Sequence, residues 1–320
     1  MFSNQIFALL GHNGAGKTTT ISMISGLLPI STGDISVFGY DTRSSMDKVK
    51  ELMGVCPQKN PIYTSLTVYE HLYLYAKIKG AKGTKKEINE QIDEILSDID
   101  LLDKKNYFAG MLSGGQKRKL CVAISFIGGS KVILLDEPTS GMDTYARRKL
   151  WDMLKKYKKD KIIILTTHYM DEADYLGDRI GIMGDGELLT CGTPLFLKNK
   201  FGVGYNLTVV KSGSDIPTDK LTKAIEGVVK GSKLEGDIGK ELKYQLPQDQ
   251  STNFETLFKM LEDQKTEYGV ESFGISLTTL EEVFLKVAVG LGKHESIDHK
   301  KEEIYAGEEE EEVELKNIRI

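Results

Sequence analysis

Long apolar runs, cysteine and charge of one sign are all scarce in this 320-residue sequence. Runs such as 132–135 and 162–165 are only a few residues long. A membrane-crossing helix needs roughly 18–20, so none is expected. The three cysteines, Cys56, Cys121 and Cys191, are odd in number and widely separated. That excludes a disulfide framework and metal-type spacing, and it fits thiols packed as small apolar groups in a reducing, cytosolic compartment. The first ten residues carry no basic stretch followed by an apolar core, so no secretory leader is expected. Net charge is -5, but the acidic excess lies in the last twenty residues. There, eight Glu face only Lys301, Lys316 and Arg319, and elsewhere the two signs balance. A neutral folded part argues against a nucleic-acid partner gripped by a basic face.

What is present is alternation. Strand-like stretches at 5–10, 132–135 and 162–166 interleave with helical ones at 18–28 and 144–157, the order of an α/β layer with a largely parallel sheet. Capping boxes at Thr67 with Glu70 and Thr84 with Glu87, and a stop at Gly80, mark a helical subdomain over 62–127. From Tyr205 the order becomes β-α-β-β-α-β, with strands at 205–210, 232–238, 242–246 and 270–276 and helices at 218–229 and 254–261. This predicts a small α+β ferredoxin-like domain. A last helix is expected to start at a Thr278–Glu281 capping box and to bury Leu280, Val283, Phe284, Val287 and Ala288. The expected division is 1–200, 201–290 and a disordered acidic tail over 291–320.

The chemistry-bearing residues follow the first strand. Gly11, His12, Asn13, Gly14, Ala15, Gly16, Lys17 and Thr18 match G-x-x-x-x-G-K-[ST] between a strand and a helix. Glycines let the backbone amides curl around phosphate oxygens, Lys17 reaches the outer phosphates, and Thr18 ligates Mg²⁺. The apolar strand 132–135 delivers Asp136 and Glu137 at its carboxyl end, where parallel sheets bind ligands. Asp136 is placed to hold Mg²⁺ directly or through water, and Glu137 to polarise an attacking water. Ser113 with Gln116 is itself a capping box. The intervening Gly114 and Gly115 are not required by a cap, and they suit an anion approaching the helix tip.

These motifs, together with Gln58 in Val-Cys-Pro-Gln, the turn from Ser140 to Asp143, and His168 after the 162–166 strand, stand in the order of an ABC-type ATPase. The sequence resembles the A subfamily of ABC transporters, through residues 120–130, 170–179, 195–198 and 275–285. The resemblance implies a P-loop NTPase fold followed by a small regulatory domain, with ATP and Mg²⁺ as ligands. It implies a second nucleotide-binding domain as partner, so that ATP is sandwiched between the Gly11–Thr18 loop, with Thr19, of one domain and Ser113, Gly114, Gly115 and Gln116 of the other. It assigns Glu137, His168 and Gln58 to catalysis, Thr18, Gln58 and Asp136 to the metal, and Asp143 to the dimer interface. Transmembrane domains from the same gene or another chain, lipid cargo and a place on the cytosolic face of a membrane follow from the same resemblance. Family members carry further strands and an adenine-stacking aromatic before the phosphate loop, and only ten residues precede Gly11 here. A truncated domain with weakened nucleotide affinity is therefore expected, the alternative reading being an impaired nucleotide-binding switch.

Overall fold

The computed structural model describes residues 1–202, 204–213 and 218–291, with 288–291 in backbone only. The chain divides into two compact units that meet between Thr193 and Pro194.

The first unit begins with β1 (Gln5–Gly11), α1 (Lys17–Ile24), a small pair β2 (Ser36–Val37) and β3 (Tyr40–Asp41), α2 (Met46–Leu52) and β4 (Met53–Cys56). It continues through α3 (Val68–Ile78), α4 (Lys85–Asp98), α5 (Gly114–Phe126), β5 (Val132–Asp136), α6 (Thr144–Tyr157), β6 (Ile162–Thr167), α7 (Met170–Leu176), β7 (Arg179–Gly184) and β8 (Glu187–Gly192). The sheet order is β4-β5-β6-β1-β7-β8. All neighbours are parallel except the β7–β8 hairpin. β5 and β6 are buried along their whole length, as near-continuous apolar runs must be when helices cover both faces. Because the chain crosses from β6 to β7 over β1, the strand order reverses beside β1. That reversal opens a crevice at the carboxyl ends of the strands.

All three capping boxes of this unit form as read: Thr67 with Glu70, Thr84 with Glu87 and Ser113 with Gln116. One helix end differs from expectation. α1 stops at Ile24, not residue 28, because Gly26 turns left-handed at φ 72°. The amide of Leu27 bonds back to the Ser22 carbonyl at 2.8 Å, which closes the helix with Leu27 and Leu28 exposed. α5 ends at Phe126, two residues before the left-handed Gly128 and Gly129.

The second unit comprises α8 (Pro194–Phe201), β9 (Tyr205–Lys211), α9 (Asp219–Val228), β10 (Lys233–Ile238), β11 (Glu241–Leu246), α10 (Phe254–Asp263), α11 (Lys265–Tyr268), β12 (Val270–Leu277) and α12 (Leu280–Leu291). Its sheet runs β10-β11-β9-β12 with every neighbour antiparallel, the arrangement of a split β-α-β ferredoxin-like fold. Leu207, Val209, Leu242, Tyr244 and Leu246 of the sheet pack against Leu221, Ile225, Leu257 and Leu261 of α9 and α10. The expected Thr278–Glu281 box is corrected by one residue. Thr279 Oγ1 accepts the Glu282 amide at 3.3 Å, while the buried Thr278 hydroxyl donates to the Gly204 carbonyl at 2.6 Å. Leu280, Val283, Phe284 and Val287 are buried as the stripe requires. The side chain of Ala288 and the acidic tail beyond Leu291 lie outside the described residues.

Candidate nucleotide site

β1 delivers Gly11 into the crevice. A Cβ there would stand 2.8 Å from the Met183 carbonyl, so only glycine allows the strand end to approach β7 this closely. Gly14 and Gly16 then take left-handed φ of 87° and 98°, while Ala15 is fully buried. Gly16 is the N-cap of α1, with no side-chain cap and no acidic residue in the first turn. The first amides of α1 therefore have no side-chain acceptor at the positive end of the helix, the chemistry that receives a phosphate. Lys17, 5% exposed, donates from Nζ to the Gly11 carbonyl at 2.7 Å and the His12 carbonyl at 3.0 Å. Burial pushes its amine below the ordinary value, while Glu137 and Asp136 pull it back up. Asn13, Thr18 and Thr19 are exposed along the loop and first turn.

Asp136 ends β5 at 2% exposure. Its Oδ1 accepts from Thr18 Oγ1 at 3.2 Å and from Thr166 Oγ1 at 2.6 Å. A carboxylate facing a hydroxyl across that distance is a hard-oxygen donor set, which fits a small divalent cation such as Mg²⁺. Glu137 follows in left-handed conformation, φ 49°, unusual for a residue with a Cβ. Its amide is fixed by the Thr166 hydroxyl at 2.9 Å, and its Oε1 lies 3.1 Å from His168 Nδ1. The twist thus turns the carboxylate away from the strand and onto the histidine.

The structure places the other expected residues as follows. Gln58 is exposed just beyond β4, and its carbonyl accepts from Arg118 at 3.2 Å. Asp143 caps α6, accepting the Ala146 amide at 2.9 Å. Ser113 and Gln116 are occupied with each other's main chain at the tip of α5. Nothing within 4 Å faces a Cβ built on Gly114, and the nearest atom to one on Gly115 is 3.8 Å away. Neither has positive φ. The fold of this unit itself therefore does not demand glycine at these two positions.

Two contributors escaped the sequence reading. Thr166 joins Asp136 to Glu137, and Arg118 is buried behind both. Cys56 and Cys121 are buried, and burial pushes their thiols up to about 12 and about 11, so both are poor nucleophiles at neutral pH.

Residues 1–140 match the family model of the ABC transporter, and residues 205–280 match that of an ACT-like domain. The chain is 48% identical over 287 residues to the human phospholipid-transporting ATPase ABCA3, covering 90% of this chain and 17% of that protein. It is 46% identical over 300 residues to ABC transporter A family member 6 of Dictyostelium discoideum, covering 92% of this chain and 18% of the relative. Among solved structures, an ATP-binding subunit of an ABC transporter superposes with a TM-score of 0.57 at 29% identity, over 62% of this chain and 82% of the other. The chain thus spans less than a fifth of the length of these curated relatives.

Proposed function

On the premise that this chain belongs to the ABC transporter family, with curated relatives in its A subfamily, we propose that it binds ATP and hydrolyses it to drive a membrane transporter. The observation that carries the reading is the left-handed Glu137, whose carboxylate stands 3.1 Å from His168 beside the buried Asp136 and the phosphate loop.

In this reading the loop amides and Lys17 neutralise the phosphates. Glu137 orients and polarises the attacking water, and His168 holds the Glu137 carboxylate and the terminal phosphate in register. Thr18 and Asp136, with Gln58 approaching from the β4 end, hold the magnesium ion, which supplies charge neutralisation at the phosphate oxygens when bound. Phosphoryl transfer to water needs positioning and electrostatics more than covalent chemistry, and these groups supply both. A second nucleotide-binding domain completes the site. The open space at Gly114 and the absence of any crowding at Gly115, at the tip of a helix of thirteen residues, suit the terminal phosphate of a nucleotide held by that partner. Asp143, at the start of α6, faces the same interface. Transmembrane domains, a cytosolic position against the membrane and a lipid cargo follow from the relative named as a phospholipid-transporting ATPase.

Glu137→Gln is expected to keep nucleotide binding and lower steady-state hydrolysis by at least about 10²-fold, the scale of a lost general base. Phosphate release and nucleotide titration on the same preparation check it. Turnover within tenfold of the unaltered chain removes Glu137 from this role.

A further inference from the structure

Arg118 lies one turn inside α5, 3% exposed. No carboxylate among the described residues pairs with it. Its guanidinium faces main chain instead. Nη1 donates to the Pro57 carbonyl at 2.5 Å, the Gln58 carbonyl at 3.2 Å and Asn60 Oδ1 at 3.2 Å. Nη2 donates to the Asp136 carbonyl and to the Glu137 carbonyl at 3.1 Å, and Nε donates to the Pro138 carbonyl at 3.3 Å. One side of the fork thus holds the loop after β4, and the other holds the end of β5. Ladder pairing between those strands finishes at Cys56 opposite Leu135. Past that point the guanidinium is what carries the connection forward to Gln58 and Glu137.

We propose that Arg118 is a positioning residue that locks the Gln58 loop and the left-handed Glu137 turn into one rigid body, and that it hangs both on the helix whose tip is Ser113. The inference rests on the ATPase reading above for its catalytic consequence, though the bridge itself does not. A planar fork with donors in fixed directions transmits displacement between the segments it joins, which a flexible ammonium does not. A non-glycine residue in left-handed conformation is strained and persists only where its neighbours over-determine it. At Glu137 the amide is held by Thr166 and the carbonyl by Arg118. Finally, a buried cation that meets only carbonyl and amide oxygens is costly to desolvate, so its presence here is better explained by geometry than by stability. With Arg118 five residues from Ser113, about 7.5 Å along α5, a nucleotide at the helix tip and the carboxylate of this chain's own site share one lever.

Hydrogen exchange on the whole chain tests the bridge without reference to catalysis. The amides of Glu137, bonded to Thr166, and Ser140, bonded to the Glu137 carbonyl, report one segment, and that of Ile62, bonded to the Asn60 carbonyl, reports the other. In Arg118→Lys all three are expected to exchange at least about tenfold faster, because opening is now local. Lys131 and Ile162, at the opposite end of the sheet, stay unchanged. Acceleration in one segment only, or uniformly through the sheet, overturns the proposal. In the catalytic arm, Arg118→Lys is expected to lower kcat by about 10- to 100-fold with KM within threefold, and to add less than threefold to the loss in Glu137→Gln. Losses that multiply would mean that Arg118 does not act through Glu137, and would overturn that role. If the unaltered chain shows no turnover, the ATPase reading fails while exchange still decides the bridge. If Arg118→Lys does not fold, Asn60→Ala removes one acceptor. It is expected to speed Ile62 and Ser140 together by about threefold, and faster exchange of Ile62 alone overturns the bridge.

Discussion

Glu172 shows what a single buried carboxyl contributes. It is fully buried in α7 and accepts from Trp151 Nε1 at 3.0 Å. Burial pushes its pKa above the usual carboxylate range, against the pull of hydrogen bonds from Thr167 and Trp151. The folded chain therefore binds this proton more tightly than the unfolded one. Stability from this group is full below the ordinary carboxylate value and declines as pH rises from there toward the raised value. Glu172→Gln keeps an acceptor for Trp151 and removes the charge. At pH 8 it is expected to raise the melting temperature by about 2–4 °C, the effect of roughly 1 kcal/mol in a domain of this size, and to leave it unchanged near pH 4. Calorimetry at the two pH values checks the sign. At this scale the sequence was legible where a residue type is dictated by its ligand. Gly11, Lys17, Thr18, Asp136 and Glu137 stand together on one sheet edge, as their motifs require. It was illegible where the role comes from packing. In the run Lys117-Arg118-Lys119 nothing marks the arginine as the residue that will meet six buried or half-buried acceptors.

Elements were legible through their ends more than their middles. Ser or Thr followed three residues later by Glu or Gln located three helix starts correctly, because the box satisfies two orphan amides locally and needs no tertiary help. The fourth moved by one residue because the buried Thr278 found a better acceptor in the Gly204 carbonyl. The β7–β8 hairpin passed unread, although Asp185 and Gly186 carry its signal. Both take positive φ, 50° and 86°, as a two-residue turn between twisted strands demands. The carboxyl end of α5 shows a further device. Lys79, from the end of α3, donates to the Ser125 carbonyl at 3.2 Å and Ser130 Oγ at 2.8 Å, capping orphan carbonyls. Burial lowers its amine to about 8. Between about 8 and its unfolded value of 10.5 the unfolded chain holds a proton that the folded chain has lost, so stability rises with pH across that window. Relative to Lys79→Met, the unaltered chain is expected to gain about 1–2 kcal/mol from pH 8 to 9.5, by the 1.4 kcal/mol that accompanies each unit. Denaturant midpoints of both proteins at the two pH values measure the difference.

At the scale of the whole molecule, two cores are built on opposite rules. The first unit clusters Phe7, Leu9, Ile24, Leu134 and Ile164 around a mostly parallel sheet, whose carboxyl edge holds the site. The second uses an antiparallel sheet with α9 and α10 on one face, its β9 and β11 alternating along much of their length where β5 and β6 of the first unit are buried throughout. The strand order β10-β11-β9-β12 is the one that a ferredoxin-like reading of this element order implies. That is set by β9 receiving β11 on one side and β12 on the other. β9 therefore carries the second unit's core, with Leu207 and Val209 fully buried beneath Leu257 and Leu261. Truncating Leu257, fully buried in α10, removes the contact that seals this face. Leu257→Ala is expected to cost about 2–5 kcal/mol, read as loss of hydrogen-exchange protection in the β9 amides that pair with β11 and β12. Protection of β9 that survives within about 1 kcal/mol would mean that the sheet is held by its ladder alone and that α10 is an accessory to it.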